Sequence, residues 1–534
     1  MSIERVLIDG QWRVASVAKI FQEDNPFIFQ AVNPATRLPL PREYPISPWP
    51  EVEQAILAAA RVSRELQNTP GEIFAKFLER FAERIDSRSG EFIATANQET
   101  ALPVEPRLKI AELPRTTNQI RQAAAAARDG GWTIPTIDTK TNIRSRLAPI
   151  GPVVVFGPNN FPFAFNSAAG GDFVAAVAAG NPVIAKGHSS HPSTTRLFAE
   201  EAFEAVREVG LPPAFVQLIY RTSHEDGCRL VSHPAIGAVG YTGARATGLV
   251  LKEAADKVGK PIYVELSSVN PICVLPGVLT ERSDELAAEF TTSCLMGTGQ
   301  FCTNPGMVLL LAGPQTDAFV STVRAKFETA PTGTMLSEGV LRNFESGIQS
   351  LVAAGAEVLA GGQPGGGNGF SFRNTLLRVT GEKFLSHPRA LQAEAFGNSS
   401  LFVVAKDEAQ LLAIVESLEG NLTGAIYSCS EGTDDALYSR IEPALRVRVG
   451  RLINDKMPTG VAVSAAMNHG GPFPATGHPG FTAVGVPASL RRFAMLQCYD
   501  GVRQQRLPPE LQDKNPRPGL WRSIDGQWSR GDVG

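Results

Sequence analysis

Apolar residues within 50–128 recur at the spacing of one helical face. The segments EVEQAILAAARVSRELQ and EIFAKFLERFAERI place them three and four positions apart, which is the periodicity of amphipathic helices. The next stretch, residues 129–150, is polar and rich in Gly, Pro and Thr. This composition predicts a linker or an extended hairpin instead of core.

Short β-branched runs alternate with helical patterns from residue 151 onward. The segments GPVVVFGP, NPVIAKG, AFVQLIY, IGAVGYTG and PIYVELSS predict strands, with amphipathic segments between them. We expect one helix in NSAAGGDFVAAVAAG to end at Gly180, and the next to run from near Ser193 to Gly210. Such alternation predicts a parallel sheet covered on both faces. Ligands of these sheets bind beyond the carboxyl ends of the strands.

A second α/β series begins near residue 284. DELAAEFTTSCLMG and DAFVSTVRAKFETA predict helices on either side of the strand GMVLLLAG, and GGQPGGGNG at 361–369 predicts a surface loop. Residues 469–534 are rich in Gly, Pro and Arg. We expect them to form loops and a tail that packs on the body of the protein or on another subunit.

The amino-acid composition argues against several classes of function. A chain of 534 residues is too long for one ordinary core. Its 50 basic and 53 acidic residues are spread along the chain, which predicts no nucleic-acid or anionic membrane partner. The sequence has no signal-peptide pattern and no apolar run of about 18 residues. No CxxC pair occurs, so the cysteines predict neither disulfides nor a metal site, which fits a cytoplasmic location. The chain has six cysteines: Cys228, Cys273, Cys294, Cys302, Cys429 and Cys498.

Two cysteines in SCLMGTGQFCTNPG differ in their helical register. Leu286, Phe290 and Cys294 lie four residues apart on one apolar stripe, so Cys294 is expected to be core. Cys302 lies beyond Gly297 and Gly299, where a tight turn leaves room for a ligand. Spacing alone leaves two interpretations of Cys302 open: a reactive thiol or a small buried side chain.

Further polar residues lie at strand ends. Asn159 and Asn160 in FGPNNFPF can point into a cleft or simply form a turn, and Lys186 in VIAKGHSSHP can be a ligand or a solvated lysine. The Gly turn in GYTGARATG precedes a helix start, which can hold a pyrophosphate, although no GxGxxG motif is present. Glu265 ends the apolar strand in YVELSSVNP, so it needs a partner or a raised pKa.

Taken in order, these stretches resemble the aldehyde dehydrogenase superfamily over nearly the whole chain. The similarity rests on NFPF, VIAKGHSSHPS, GYTGA, VELSSVNP, GTGQFCTNPG, EAFG and PTGV…HGGPFPAT. GHSSHP and LPPELQDKNP are most similar to the branch that contains 2-oxoglutarate semialdehyde dehydrogenases and a bacterial NADP-linked fatty aldehyde dehydrogenase. The resemblance implies an α/β fold with two Rossmann-like parallel-sheet domains and a β oligomerisation element.

The resemblance also implies catalytic roles. Cys302 is the nucleophile that forms a thiohemiacetal and then a thioester. The Asn160 amide and the Cys302 N–H form the oxyanion hole, and Glu265 is the general base for hydrolysis, with a pKa that burial moves toward neutrality. Asn159 and His469 are candidate substrate-site residues; His469 is equally open to a structural role in its loop.

The expected cofactor is NADP, with NAD as the alternative. By resemblance, Lys186 and Glu394 hold the two riboses, Gly243 and Ala244 lie beside the pyrophosphate, and Phe396 lies beside the nicotinamide. Ser189 stands where many NAD-preferring relatives carry a glutamate, and losing that carboxylate removes a repulsion against a 2′-phosphate. His224 stands near the position of an arginine used by NADP-preferring relatives, with Arg221 close by.

The expected substrate is 2-oxoglutarate semialdehyde. A medium- or long-chain fatty aldehyde is the enzymatic alternative, and a non-catalytic binding protein on the same fold is the alternative from another class. Intact Cys302, Glu265 and Asn160 argue against the latter. Glu265 also argues against a CoA-acylating enzyme, because acylating relatives usually lack this base.

The resemblance implies three structural units. Residues 1–130 and 150–264 form the dinucleotide-binding domain, and residues 265–466 form the catalytic domain. Residues 131–149 and 486–534 form the bridging element and tail. A β extension of this kind needs a partner strand, which predicts a homodimer or a dimer of dimers.

Overall fold

The computed structural model describes residues 3–19 and 27–534. The helices in these ranges are α1 (Trp49–Glu65), α2 (Gly71–Ser87), α3 (Ser89–Thr100), α4 (Leu113–Asp129), α5 (Gly171–Ala178), α6 (Pro192–Val209), α7 (His224–Ser232), α8 (Arg245–Asp256), α9 (Pro276–Leu295), α10 (Pro314–Thr329), α11 (Glu338–Ala353), α12 (Gly381–Ser386), α13 (Pro388–Leu391), α14 (Glu408–Glu416) and α15 (Asp435–Arg446).

The strands of the described ranges are β1 (Val6–Ile8), β2 (Gln11–Arg13), β3 (Ile28–Val32), β4 (Pro39–Pro45), β5 (Thr136–Asp138), β6 (Ile143–Pro149), β7 (Val153–Phe156), β8 (Val183–Lys186), β9 (Val216–Ile219), β10 (Ala238–Thr242), β11 (Ile262–Glu265), β12 (Pro271–Val274), β13 (Met307–Leu311), β14 (Glu357–Ala360), β15 (Thr375–Thr380), β16 (Ser399–Ala405), β17 (Asn421–Tyr427), β18 (Val449–Asn454), β19 (Ala494–Asp500), β20 (Arg522–Ile524) and β21 (Gln527–Ser529).

The first sheet has seven strands in the order β11-β10-β7-β8-β9-β1-β2. The neighbours among β7 to β11 pair in parallel, which confirms the five strands predicted from the β-branched runs. Helix α5 begins only at Gly171, later than the pattern predicted, because residues 160–170 form successive turns. An antiparallel hairpin, β1–β2, extends the sheet beyond β9; the hydrophobic pattern does not predict it.

The second sheet has the order β14-β15-β16-β13-β12-β17-β18. Its neighbours are parallel except for β14 with β15. Along β12, Ile272 and Val274 belong to one apolar cluster, whereas Cys273 belongs to another. The sheet is therefore covered on both faces, as expected for parallel strands. Strand β11 ends at Glu265, one residue past the predicted boundary at 264, and the predicted domain ranges and roles stay predictions.

A third sheet of five strands, in the order β19-β6-β5-β20-β21, joins residues 136–149 to the carboxyl-terminal region. Strands β5 and β6 form the predicted hairpin. Strand β19 pairs antiparallel with β6, and β20 pairs parallel with β5. The carboxyl-terminal region thus contributes three short strands to a sheet, and the rest of it is mostly turns and loops. Within the described ranges, no helix has the length and apolar character needed to cross a membrane.

Candidate active site

Cys294 and Cys302 occupy different environments. Cys294 is fully buried in helix α9, and burial raises the pKa of its thiol to about 12, which confirms the prediction of a core residue. Helix α9 runs from Pro276 to Leu295 with a kink at Arg282, whose φ of −151° and ψ of 45° are not helical, so the segment that carries Cys294 begins close to the predicted residue 284. A tight turn follows, with φ of 56° at Gly297, 60° at Thr298 and 65° at Gly299. The turn leaves Cys302 outside the helix and partly exposed.

Gly299 lets two segments of the site meet. A Cβ at this position would lie 2.1 Å from the carbonyl oxygen of Gly397. Gly397 follows Glu394 and Phe396, which both line the large cleft described below. The absence of a side chain at Gly299 therefore allows the loop that carries Cys302 to pack on the loop that carries Glu394 and Phe396.

The structure brings Cys302, His469 and Glu265 together. The Cys302 Sγ atom lies 3.5 Å from His469 Nε2, and His469 Nε2 lies 3.0 Å from Glu265 Oε1. His469 and Glu265 are both buried, and the His469 backbone N–H donates to Thr482 Oγ1. These contacts place His469 against the candidate nucleophile and base. The three groups are also close enough to hold a metal ion, a possibility that the sequence analysis did not predict.

The expectation of a raised Glu265 pKa is wrong for this arrangement. Burial raises the pKa of this carboxyl, but the charge and hydrogen bond of His469, with a smaller effect of the neighbouring Cys302 thiol, lower it by more than burial raises it. The net effect is a lowered pKa. Because an ionised carboxylate only accepts hydrogen bonds, the 3.0 Å contact requires the hydrogen to be on His469 Nε2.

The environment of Cys302 opposes the thiolate. Burial and then the negative charge of Glu265 raise the pKa of the thiol well above its ordinary value. The more distant carboxyl of Glu394 acts in the same direction. The resting nucleophile is therefore a thiol, and its activation needs a neighbouring group that accepts the proton.

The backbone around the nucleophile is held by amide side chains. Asn160 Nδ2 donates to Gln300 O at 3.0 Å, which uses one of its two hydrogens and leaves the other for a ligand. Asn270 Nδ2 donates to Cys302 O at 2.9 Å and to Asn304 O at 2.8 Å. Asn270 was not predicted as a site residue, although it lies in the VELSSVNP stretch.

Arg107 fixes the segment that carries Asn160. Its Nη2 atom donates to Asn160 O at 2.9 Å and lies 3.2 Å from Glu112 Oε2. Its Cζ atom lies 4.2 Å from the Phe161 ring centre and 4.8 Å from that of Phe301. Sequence reasoning missed Arg107, because it lies in an irregular helical segment remote in sequence from every quoted stretch.

A cleft of about 1560 Å³ is lined in part by Cys302. This volume exceeds that of an ordinary small-molecule pocket and suits an extended dinucleotide. The sequence-predicted site residues, apart from His469, all line it: Asn159, Asn160, Lys186, Ser189, His224, Gly243, Ala244, Glu265, Cys302, Glu394 and Phe396.

The middle of the cleft carries a helix start. Helix α8 begins at Arg245 with Ala244 as its N-cap, directly beyond the carboxyl end of β10. The Gly243 N–H donates to Glu265 O at 3.1 Å. Unpaired N–H groups at a helix start favour an anion, so the residues present here fit the pyrophosphate of a dinucleotide.

Two ionisable groups in the cleft are strongly perturbed. Burial, and secondarily the charge of Arg221, lowers the pKa of Lys186 to about 8. Burial raises the pKa of Glu394 to about 8. Both groups can therefore lose or gain their charge near neutral pH. His224 is exposed at the first position of α7, and Arg221 lines the same cleft.

Comparison with known proteins identifies the family. The aldehyde dehydrogenase family model matches residues 21–471. The chain belongs to the aldehyde dehydrogenase family. Alpha-ketoglutaric semialdehyde dehydrogenase 2 of Azospirillum brasilense is 37% identical over 485 residues, covering 87% of this chain and 90% of that protein. Alpha-ketoglutaric semialdehyde dehydrogenase of Acinetobacter baylyi is 36% identical over 487 residues, covering 87% and 89%.

Solved structures confirm the aldehyde dehydrogenase fold. PnpE in complex with nicotinamide adenine dinucleotide superposes with a TM-score of 0.79 at 20% identity, covering 94% of this chain and 99% of that one. An AldC mutant from Pseudomonas syringae, complexed with NAD+ and octanal, gives 0.78 at 20% identity, covering 95% and 98%. The protein is an NAD(P)-dependent aldehyde dehydrogenase with the predicted α/β architecture.

Proposed function

We propose that this aldehyde dehydrogenase oxidises 2-oxoglutarate semialdehyde to 2-oxoglutarate and prefers NADP to NAD. The observation that carries the chemistry is the contact of Cys302 with His469 and Glu265 beside the large cleft. The substrate rests on the two relatives of 37% and 36% identity that are named for this semialdehyde.

In this mechanism Cys302 Sγ attacks the aldehyde carbon to form a thiohemiacetal. His469 Nε2 donates to Glu265, so it cannot accept the thiol proton while that hydrogen bond persists. The Glu265 carboxylate is then the nearest acceptor for this proton. His469 acts as a positioning residue, which keeps the carboxylate ionised and holds it beside the sulfur.

The oxygen of the thiohemiacetal becomes negatively charged as the bond forms. The free amide hydrogen of Asn160 and the backbone N–H of Cys302 are proposed to stabilise it, at roughly 3–4 kcal/mol per donor. Arg107 and Gln300 fix the Asn160 segment, and Asn270 fixes the Cys302 carbonyl. The donors are thus held in place before the charge develops.

A bound nicotinamide cofactor would supply the hydride acceptor, and Cys302 would then hold the acyl group as a thioester. Glu265 then takes a proton from a water molecule that attacks the thioester carbonyl. The C–S bond breaks, the acid leaves, and Cys302 is released. The buried position of Glu265 keeps bulk water away from its carboxylate, and its lowered pKa keeps this base ionised at neutral pH.

The cofactor roles follow the lining of the cleft. We assign Lys186 and Glu394 to the riboses, the Gly243–Ala244 turn to the pyrophosphate, and Phe396 to the nicotinamide ring. The preference for NADP is supported by Ser189, which carries no negative charge, and by His224 with Arg221 on the same cleft. A 2′-phosphate would meet the positive charge of Arg221 there, and no carboxylate at position 189.

The five-stranded sheet supports a proposed homodimer or dimer of dimers. Strands β19 and β21 are its edges among the described residues. Met495 and Leu496 on β19, and Trp528 on β21, are exposed, and exposed apolar residues on an edge strand favour pairing with another chain. The six unpaired cysteines support the proposed reducing, cytoplasmic setting.

The test is the absorbance of reduced cofactor with wild type and Cys302→Ala. NADP and NAD are each supplied with 2-oxoglutarate semialdehyde and with decanal. We expect turnover of the semialdehyde with NADP, and its loss in the variant. Turnover of decanal alone would contradict the substrate but keep the chemistry. No turnover of any pair would contradict the mechanism.

A further inference from the structure

Two arginines approach the nucleophile from outside the cofactor cleft. Arg115 lies on helix α4 and Arg451 on strand β18, and both are partly buried. Neither lines the large cleft. Among the described residues, neither forms an ion pair with an acidic side chain within 4.0 Å, although most of the molecule's buried arginines do.

Both guanidinium groups bind the same loop. Arg115 Nε donates to Val461 O at 3.2 Å. Arg451 Nη2 donates to Pro458 O at 2.8 Å, and its Nη1 donates to Gly460 O at 3.3 Å. Carbonyl oxygens within residues 458–461 therefore hold both guanidinium groups on one loop.

This loop is tied directly to the segment of the nucleophile. The Gly460 N–H donates to the hydroxyl of Thr303, the residue after Cys302, at 3.2 Å. On the other side, Arg115 Cζ lies 5.4 Å from the Phe165 ring centre, and that ring lies 5.7 Å from the His469 ring. Arg451 is therefore linked to the segment of Cys302 through Gly460 and Thr303, and Arg115 through Phe165 and His469.

The surroundings of the pair are apolar. Phe161, Phe165 and Phe301 form a buried cluster, with Val461 and Met467 packed against it. Burial lowers the pKa of both guanidinium groups; the charge of Glu112 opposes this at Arg115, and negative charge on Cys302, when it forms, would oppose it at both. The Nε atom of Arg451 is buried without a hydrogen-bond partner.

A cation in an apolar setting without a counter-ion is unfavourable, and buried charges are normally paired. Here the missing partner would be an anion beside an aldehyde-oxidising thiol. The planar fork of a guanidinium matches a carboxylate, which it can bind through two parallel hydrogen bonds. We propose that Arg115 and Arg451 form an anion subsite that binds the carboxylate of a short oxo acid whose aldehyde group reaches Cys302.

This inference rests on the proposed aldehyde oxidation and names the chemical class of its substrate. A neutral alkyl chain would leave both guanidinium groups unpaired next to it. A short chain with an aldehyde at one end and a carboxylate at the other would pair them. The subsite therefore distinguishes oxo acids in general from fatty aldehydes, whichever oxo acid is the natural substrate.

The test compares charged and neutral aldehydes of one chain length. Arg115→Met, Arg451→Met and the double variant are assayed with 2-oxoglutarate semialdehyde, 5-oxopentanoate and pentanal. Arg121→Met is the matched control, because Arg121 lies on the same helix but pairs with Asp86 on the surface. We expect the KM of both acids to rise about 10- to 100-fold in the double variant. The pentanal KM and all kcat values should stay within about threefold, and Arg451→Lys should restore part of the loss.

Each outcome decides one of the two proposals. An equal loss for pentanal and the acids, or no loss for the acids, would overturn the subsite. Wild-type turnover of 5-oxopentanoate but not of 2-oxoglutarate semialdehyde, with the expected arginine dependence, would keep the subsite and contradict the substrate. If the variants do not fold, the test uses inhibition of the wild-type enzyme. Glutarate should inhibit pentanal oxidation competitively, and glutaramide should not. Equal inhibition by both, or by neither, would overturn the subsite.

Discussion

Replacing Gly299 by alanine tests whether close packing of two loops positions the nucleophile. At Gly299 φ is 65°, and a Cβ would lie 2.1 Å from the Gly397 carbonyl oxygen. Gly259 provides the matched control: its φ is 68°, and nothing lies within 4 Å of its Cβ position. The two substitutions share the backbone penalty and differ in the steric clash.

The expected magnitude follows from these two contributions. The left-handed conformation costs an alanine about 1–2 kcal/mol, which applies to both variants. Forcing an atom into packed structure adds about 1–3 kcal/mol, which applies only to Gly299→Ala. We therefore expect Gly299→Ala to lose about 2–5 kcal/mol of stability. Relaxing the clash displaces the segment of Cys302, and a displacement of about 1 Å costs on the order of 100-fold in rate.

Thermal unfolding and the rate of reduced-cofactor formation measure the two effects. We expect the unfolding midpoint of Gly299→Ala to fall below that of Gly259→Ala, and kcat to fall about 100-fold only in Gly299→Ala. Iodoacetamide alkylation of Cys302 should also slow in that variant. Equal stability and equal kcat in the two variants would show that contact between the loops does not position the thiol.

Three further predictions concern pH. Glu265→Gln removes a negative charge that raises the pKa of Cys302, so alkylation by iodoacetamide should begin at lower pH; an unchanged profile would contradict the coupling. His469→Asn removes the group that lowers the Glu265 pKa. The carboxylate would then protonate at higher pH, so the acidic limb of kcat should move up, and no movement would exclude the positioning role. Lys186 has a pKa of about 8, so the cofactor KM should rise above pH 8 as its charge is lost, whereas Lys186→Arg should keep KM flat.

The strands that carry the site were predictable because each is a short, continuous run of buried β-branched residues. Lys186 and Glu265 end such runs, at β8 and β11, and the parallel topology then brings these ends to one edge. The hairpin β1–β2 was missed because its strands have only three residues each, although Asp9-Gly10 between them, with φ of 54° and 70°, is a sequence signal of a two-residue hairpin turn. Residues 166–170, NSAAG, were predicted as the start of α5 because most of them are small, but they form turns ahead of Gly171.

The pKa of Glu265 shows why the electrostatics could not follow from the pattern. The local sequence shows an apolar strand, and burial alone does raise the pKa of a carboxyl. The partner that reverses the sign, His469, lies 204 residues further along the chain. Arg115 and Arg451 were missed for the same reason, because only the folded loop at 458–461 brings them to the nucleophile.

The single hydrogen between His469 and Glu265 constrains the order of proton transfers. Glu265 can accept the thiol proton in the first half of the reaction, but it must be ionised again before it can accept one from water in the second half. The proton taken from Cys302 must therefore leave between the two steps. The Oε2 atom of Glu265 is buried without a hydrogen-bond partner among the described residues. The hydrogen bond from His469 Nε2 to Oε1 therefore holds the orientation of the carboxylate. His469 thus affects both halves of the reaction without a change in its own protonation. Replacing His469 is therefore expected to shift the pH profile, whereas removing Cys302 is expected to abolish turnover.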